Sequence, residues 1–181
     1  MMFTHAKARM EDTKLWGIVR RMPKGCLLHA HLDATVDFDF LLAELLKTRG
    51  MHLACDEGSL ASSKARESAP LRFRYRKETG TDKSIWSGEY EKGSYVLLTK
   101  AAEEFPGGGT EGFLKWLKGR CIVSSTDSVE QHRGIDAIWK KFARCFAVVG
   151  SIIHYEPMFR AFLRRLMRLL MADGVRYAEA R

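Results

Sequence analysis

The chain has 181 residues, 46% of them apolar and 29% charged, and a formal net charge of +8. That length suits one ordinary domain, and the balance is that of a soluble globular protein rather than a disordered or membrane-spanning one. No apolar run reaches bilayer-crossing length. Residues 1–21 carry charges throughout and lack the apolar stretch of a signal peptide, so an intracellular (cytoplasmic) or unprocessed chain is expected. Cys26, Cys55, Cys121 and Cys145 are widely spaced with no C-x-x-C pair. This disfavours both a cysteine zinc site and a disulfide framework, and they read as thiols, mostly buried.

Residues 11–21 predict a short amphipathic helix with Leu15, Trp16 and Val19 on one face, packing beneath the strand that follows. We take 1–22 as an N-terminal helical extension. Pro23 and Gly25 then mark a turn that feeds a strand from about Cys26 to His31. Side chains at i and i+2 leave the same face of a strand, so His29 and His31 can reach one point, with Asp33 just beyond. Two imidazoles offered in this way suit a metal ion, although H-x-H alone is also compatible with exposed or hydrogen-bonded histidines. His5, His52 and His132 are read as solvated.

Apolar residues recur at helical period from Val36 to Arg49, and Gly50 supplies the stop. Residues 51–125 are less regular and form an insertion. Within it, 59–70 reads as a mobile polar loop, Leu71–Arg76 alternates apolar with basic as a half-exposed strand does, and Phe105–Gly109 breaks two helical stretches. The triple glycine lacks the Lys-Ser/Thr pair of a nucleotide loop.

The last third is helical. Ile135, Ile138, Trp139, Phe142, Phe146, Val149 and Ile153 trace one stripe from about Val129 to Ile153. A second helix runs Met158–Ala172, with Phe159, Phe162, Leu163, Leu166, Leu169 and Leu170 inward. Asp173-Gly174 ends it, and Val175–Arg181 reads as a strand. A strand, a long mostly helical connection and a second strand imply parallel pairing.

The run Pro23-Lys24-Gly25-x-Leu27-Leu28-His29-x-His31-x-Asp33 resembles the first-strand motif of the adenosine deaminase family of metal-dependent hydrolases. Ile138-Trp139-Lys140-Lys141-Phe142, then Gly150–Phe159, then Asp173–Arg181 resemble successive segments of its growth-factor-type branch. Arg72-Phe73-Arg74 and Trp86 resemble the insertion which that branch carries after its first strand, so the resemblance is collinear from Pro23 to Arg181.

The resemblance implies an α/β fold, the first two strands of a (β/α)8 barrel, and zinc-dependent hydrolysis of adenosine to inosine and ammonia. It makes His29 and His31 ligands of one Zn2+ ion, and Asp33 the acceptor of the ribose 5′-hydroxyl, with Ala34 where related motifs have glycine. Trp139, Phe142 and Phe146 match a segment lining the nucleoside pocket, while their spacing also fits a core stripe, the explanation that the sequence alone favours. The H-x-E and P-C-x-x-C elements of cytidine-type zinc deaminases are absent.

The family's remaining ligands, a third histidine and an aspartate, have no counterpart here, nor do its proton-shuttling glutamate and water-activating histidine. A complete barrel needs about 250 residues. The expected reading is therefore a fragment of such a hydrolase, with no catalytic residue assigned, acting on a purine nucleoside and prone to self-association. The alternative is an inactive remnant that binds polyanions or a partner through Lys64, Arg66, Arg72, Arg74, Arg76 and Lys77. Nothing beside that charge marks nucleic-acid recognition, and although the resembled branch is often secreted, no leader is visible.

Overall fold

In a computed structural model, the chain is described over residues 3–124 and 134–180. It falls into two compact units, one of residues up to Ala30 together with those from Met167 on, the other of His31–Leu166.

The first unit opens with two helices, α1 (Phe3–Glu11) and α2 (Lys14–Arg21). Thr13 caps α2, its hydroxyl accepting from the Trp16 N–H at 3.1 Å. The expected packing of this helix is overturned: α2 buries no residue, and Leu15 and Val19 are exposed. Met22, preceding Pro23, takes the extended backbone that a following proline favours. Strand β1 (Leu27–Ala30) pairs in parallel with β5 (Ala178–Ala180), the last strand of the chain. That parallel return through a long helical connection is the one read from the sequence.

The second unit begins with a 3-10 turn (Leu32–Ala34) and α3 (Phe38–Lys47). Asp37 caps α3 by accepting from the Phe40 N–H at 3.0 Å, and Leu41, Leu42 and Leu45 face the core. The helix is two residues shorter at each end than its apolar period suggests, because both caps take extended backbone.

The insertion is more ordered than its composition implies. Strand β2 (Met51–Cys55) is buried at every position and lies between β3 (Leu71–Tyr75) and β4 (Val96–Leu97) in an antiparallel sheet of order β3-β2-β4. The polar stretch read as a mobile loop carries helix α4 (Ser63–Ser68), capped by Ser62, and Leu60 beside it is fully buried. Helices α5 (Leu98–Glu103) and α6 (Gly109–Cys121) follow, separated at the expected glycines. Gly80 lets its loop lie on the sheet; a Cβ there would sit 1.8 Å from the Tyr95 carbonyl oxygen.

An aromatic cluster of Trp86, Phe105, Phe113 and Trp116 ties the earlier part of the insertion to α6, with ring centroids 5.0–6.2 Å apart. Trp86 donates from Nε1 to the Ala101 carbonyl at 2.8 Å and Trp116 to the Arg66 carbonyl at 3.0 Å. Arg120, only 7% exposed, donates to the carbonyls of Arg66 at 2.6 Å and Ala69 at 2.7 Å. Those oxygens end α4, where carbonyls lack helical partners and a cation is favoured.

Helices α7 (Ile135–Ile153) and α8 (Glu156–Ala172) complete the connection, with the expected Val129 start of α7 lying outside the described residues. The buried face of α7 is Cys145, Val148, Val149 and Ile152. Of the expected α8 stripe, Phe162 and Leu166 are buried and the rest half-buried. The architecture is mixed α/β with two small sheets, and no complete barrel is present among the described residues.

Truncating Arg120 removes the Arg120 donor from the Ala69 carbonyl and leaves the Arg66 carbonyl with that of Trp116. Arg120→Ala should cost about 3 kcal/mol in denaturant unfolding, and Trp116→Phe, which removes one donor, about 1 kcal/mol. A change for Arg120→Ala within about 0.5 kcal/mol would show that water replaces the guanidinium. At Asp37, burial raises the carboxyl pKa, but the Arg165 and Phe40 hydrogen bonds and the Arg165 charge outweigh it and leave the group below the usual carboxylate range. Its contribution is therefore full above the unfolded-state pKa near 4 and is lost as pH falls through the lowered folded value. Asp37→Asn, which keeps a cap, should flatten that part of the stability profile between about pH 5 and pH 2.

Candidate active site

His29 sits exposed on β1, and His31 is the exposed residue that begins the 3-10 turn. The two flank the buried Ala30, and His31 keeps extended backbone. The register slips between Leu27 and Ala30, since three steps on β1 oppose two on β5, and the strand ends before His31. Leu28 is accordingly exposed while Ala30 is buried. Past the turn, Asp33 is half-buried, and the Thr35 hydroxyl donates to the Leu32 carbonyl at 2.7 Å.

Within the second unit, a cavity of about 270 Å³ opens between this turn, the end of α6 and the middle of α7. Asp33, Phe142 and Phe146 all line it. Trp139 does not, but its ring lies 5.5 Å from that of Phe142, which is 4.8 Å from Phe146, which meets the His31 imidazole edge-on at 6.3 Å. The rings thus form a line from an exposed indole to a candidate ligand. The core-stripe alternative fails for its outer part, since Trp139 is 66% and Phe142 41% exposed. Spacing alone could not separate the two, because a helix repeats its face whether or not a neighbour covers it. Ile122 and Val123, just past α6, also wall the cavity. No sequence signal marked them, because they matter only through where α6 ends.

Cys121 and Cys145 line it too. Burial, with the Cys145 charge adding to it, pushes the Cys121 thiol up to about 12. It is therefore a packing group and not a nucleophile at neutral pH. His52 is not solvated as expected: it is 1% exposed, its Nδ1 lies 2.9 Å from the Gly50 carbonyl, and its Nε2 has no hydrogen-bond partner among the described residues. Glu179 accepts from the Tyr177 hydroxyl at 2.9 Å. In the basic stretch, Arg66 donates to the carbonyls of Leu60 and Ala61, Arg72 pairs with Asp56, and Arg76 with Glu78.

No family model matches the chain. Curated proteins do. It is 27% identical over 175 residues to an adenosine deaminase of Phlebotomus duboscqi, a match covering 96% of this chain and 30% of that protein. Against adenosine deaminase 2 of Homo sapiens it is 26% identical over 181 residues, which cover 100% and 32% of the two. Against adenosine deaminase 2 of Dictyostelium discoideum it is 23% identical over 172 residues, covering 94% and 27%. The chain is similar to adenosine deaminases along its whole length. It spans about 30% of the length of the curated relatives it matches.

An adenosine deaminase implies zinc in general, and the donors here fall short of it. Among the described residues, no group of three or more His, Cys, Asp or Glu side chains is arranged to hold a metal ion. A catalytic zinc takes three protein ligands and a structural one four, so His29 and His31 do not by themselves make a zinc site. No helix among the described residues is long and apolar enough to cross a membrane.

Of the four free cysteines, Cys26 is exposed and Cys55, Cys121 and Cys145 are buried. In the native chain at pH 8, a thiol reagent should therefore titrate one group quickly and the other three only on unfolding. Rapid labelling of Cys121 would show that its wall of the cavity is open to water.

Proposed function

We propose that this chain is the H-x-H-bearing part of an adenosine deaminase-like hydrolase of the (β/α)8 type. In this reading it hydrolyses adenosine to inosine and ammonia only when further polypeptide completes the barrel. The observation that carries the reading is similarity to curated adenosine deaminases over the whole chain at about 30% of their length. The parallel β1–β5 pair, joined through helices, supports it as two neighbouring barrel strands would.

In this reading His29 and His31 are two ligands of a zinc ion whose other ligands come from elsewhere. Asp33 orients the nucleoside through its ribose, being half-buried at the cavity and acceptor-only when ionised. Phe142 and Phe146 give the purine an apolar, aromatic wall, extended outward by Trp139. No proton-transfer role is assigned within these residues. The exposed Trp139, Ile135, Leu15 and Met171 make self-association of the isolated chain the expected behaviour at high concentration.

The test is a chimera in which this chain replaces the matching segment of adenosine deaminase 2 from Homo sapiens. A folded chimera should deaminate adenosine, and His29→Ala or His31→Ala should abolish turnover. A cooperatively melting chimera with no turnover would overturn the reading. The isolated chain with added zinc should show no turnover, yet the double substitution should weaken its zinc binding at least about tenfold, or about 1.4 kcal/mol.

A further inference from the structure

We infer that the second unit carries a separate small-ligand site, suited to a flat aromatic ring bearing a phosphate, between the edge of β3 and the last turns of α7. A cavity of about 510 Å³ lies there, lined by Arg74, Tyr75, Tyr95, Ser151, His154 and Tyr155. That volume falls within the range of small-molecule pockets, which combine aromatic walls with a few polar groups. This site shares no residue with the cavity that holds Asp33 and Phe146.

The aromatic part is Tyr75 and Tyr155, whose rings are parallel to within 2° at 4.5 Å between centroids. Both line the cavity, so a planar ligand can lengthen the stack. His154 is exposed at the same wall, with an imidazole able to bond a ring edge.

The charged part follows from pairing along β3. Arg72 is held by Asp56 at 2.5 Å and Arg76 by Glu78 at 3.6 Å, and both guanidinia lie over the Tyr95 ring, at 5.9 Å and 5.1 Å. Arg74 lies between them in sequence, exposed and lining the cavity, and has no carboxylate partner among the described residues. An adjoining cavity of about 430 Å³ is lined by Arg74, Tyr75, Arg76, Lys77, Glu78 and Tyr95. Lys77 likewise has no carboxylate partner among the described residues. One end is thus aromatic and the other has two uncompensated cations, one of them a guanidinium whose fork matches a phosphate. A nucleoside monophosphate has both halves, whereas a nucleoside or a phosphate ion has one.

The experiment titrates the 181-residue chain with AMP, adenosine and inorganic phosphate in the presence of a chelator, by calorimetry. AMP should saturate a single site at least about tenfold tighter than either half alone. Arg74→Ala should bring AMP down to the level of adenosine, and Arg74→Lys should restore part of the difference. Tyr155→Ala should weaken AMP and adenosine together and leave phosphate unchanged; Tyr155→Phe, which keeps the ring, should bind AMP normally. The His29→Ala, His31→Ala double variant should bind AMP as the parent does, so that this site stands or falls apart from the deaminase reading. Equal affinity for AMP and phosphate, insensitivity to Arg74→Ala, or loss of AMP binding in the double histidine variant would each overturn the site. So would steeply salt-dependent binding of single-stranded DNA without saturable AMP binding, which would make the edge an extended polyanion surface.

Discussion

The second unit depends on a cation held away from water. Arg120 has no carboxylate partner among the described residues, and its charge is met by the carbonyls that close α4. Burial accordingly pulls its guanidinium below the usual range, with the Arg144 charge adding to the same effect. Such a group is tolerated only where every donor has a rigid acceptor. Holding it fixes where α6 ends, and the next residues, Cys121 and Ile122, are the wall that faces Asp33 and Phe146. The α4 end of the insertion and the cavity wall past α6 are thus coupled through one side chain, although about 50 residues separate them in sequence.

What could be read in the sequence was whatever has a local cause. The α3 helix carries its own cap and apolar period, and the parallel return of β5 follows from a helical crossover between strands. Strand β2 was missed for the opposite reason. It is central in its sheet and buried on both faces, so it shows none of the alternation that marks a half-exposed strand, and His52 interrupts its apolar run. Helix α4 was hidden by composition: serines read as loop, yet Ser62 accepts from the Ala65 N–H at 3.1 Å and starts a helix.

The aromatic stripe of α7 was legible as a stripe but not as a wall. Its inner turns, at Cys145, Val148, Val149 and Ile152, are buried, while its outer turns hold rings that meet chiefly one another. A large apolar surface of this kind is costly to leave in water, at about 25 cal/mol for each Å². Its retention on one helix, leading to a histidine, is easier to explain by something that covers it than by stability of these residues alone.

The ligand count leads to the same place by a different route. A divalent cation held by two neutral imidazoles keeps its full charge and most of its water, so its affinity depends on further donors, carboxylate above all. His29 lies on β1, and His31 follows its end with extended backbone as the cap of the turn. Around His31, the Phe146 ring meets the imidazole edge-on and is one group that orients it. Under the proposed reading, the polypeptide that brings the remaining donors also buries Phe142 and Trp139. Metal affinity and burial of that wall would then rise together, because each imidazole is oriented by the packing that the added chain completes.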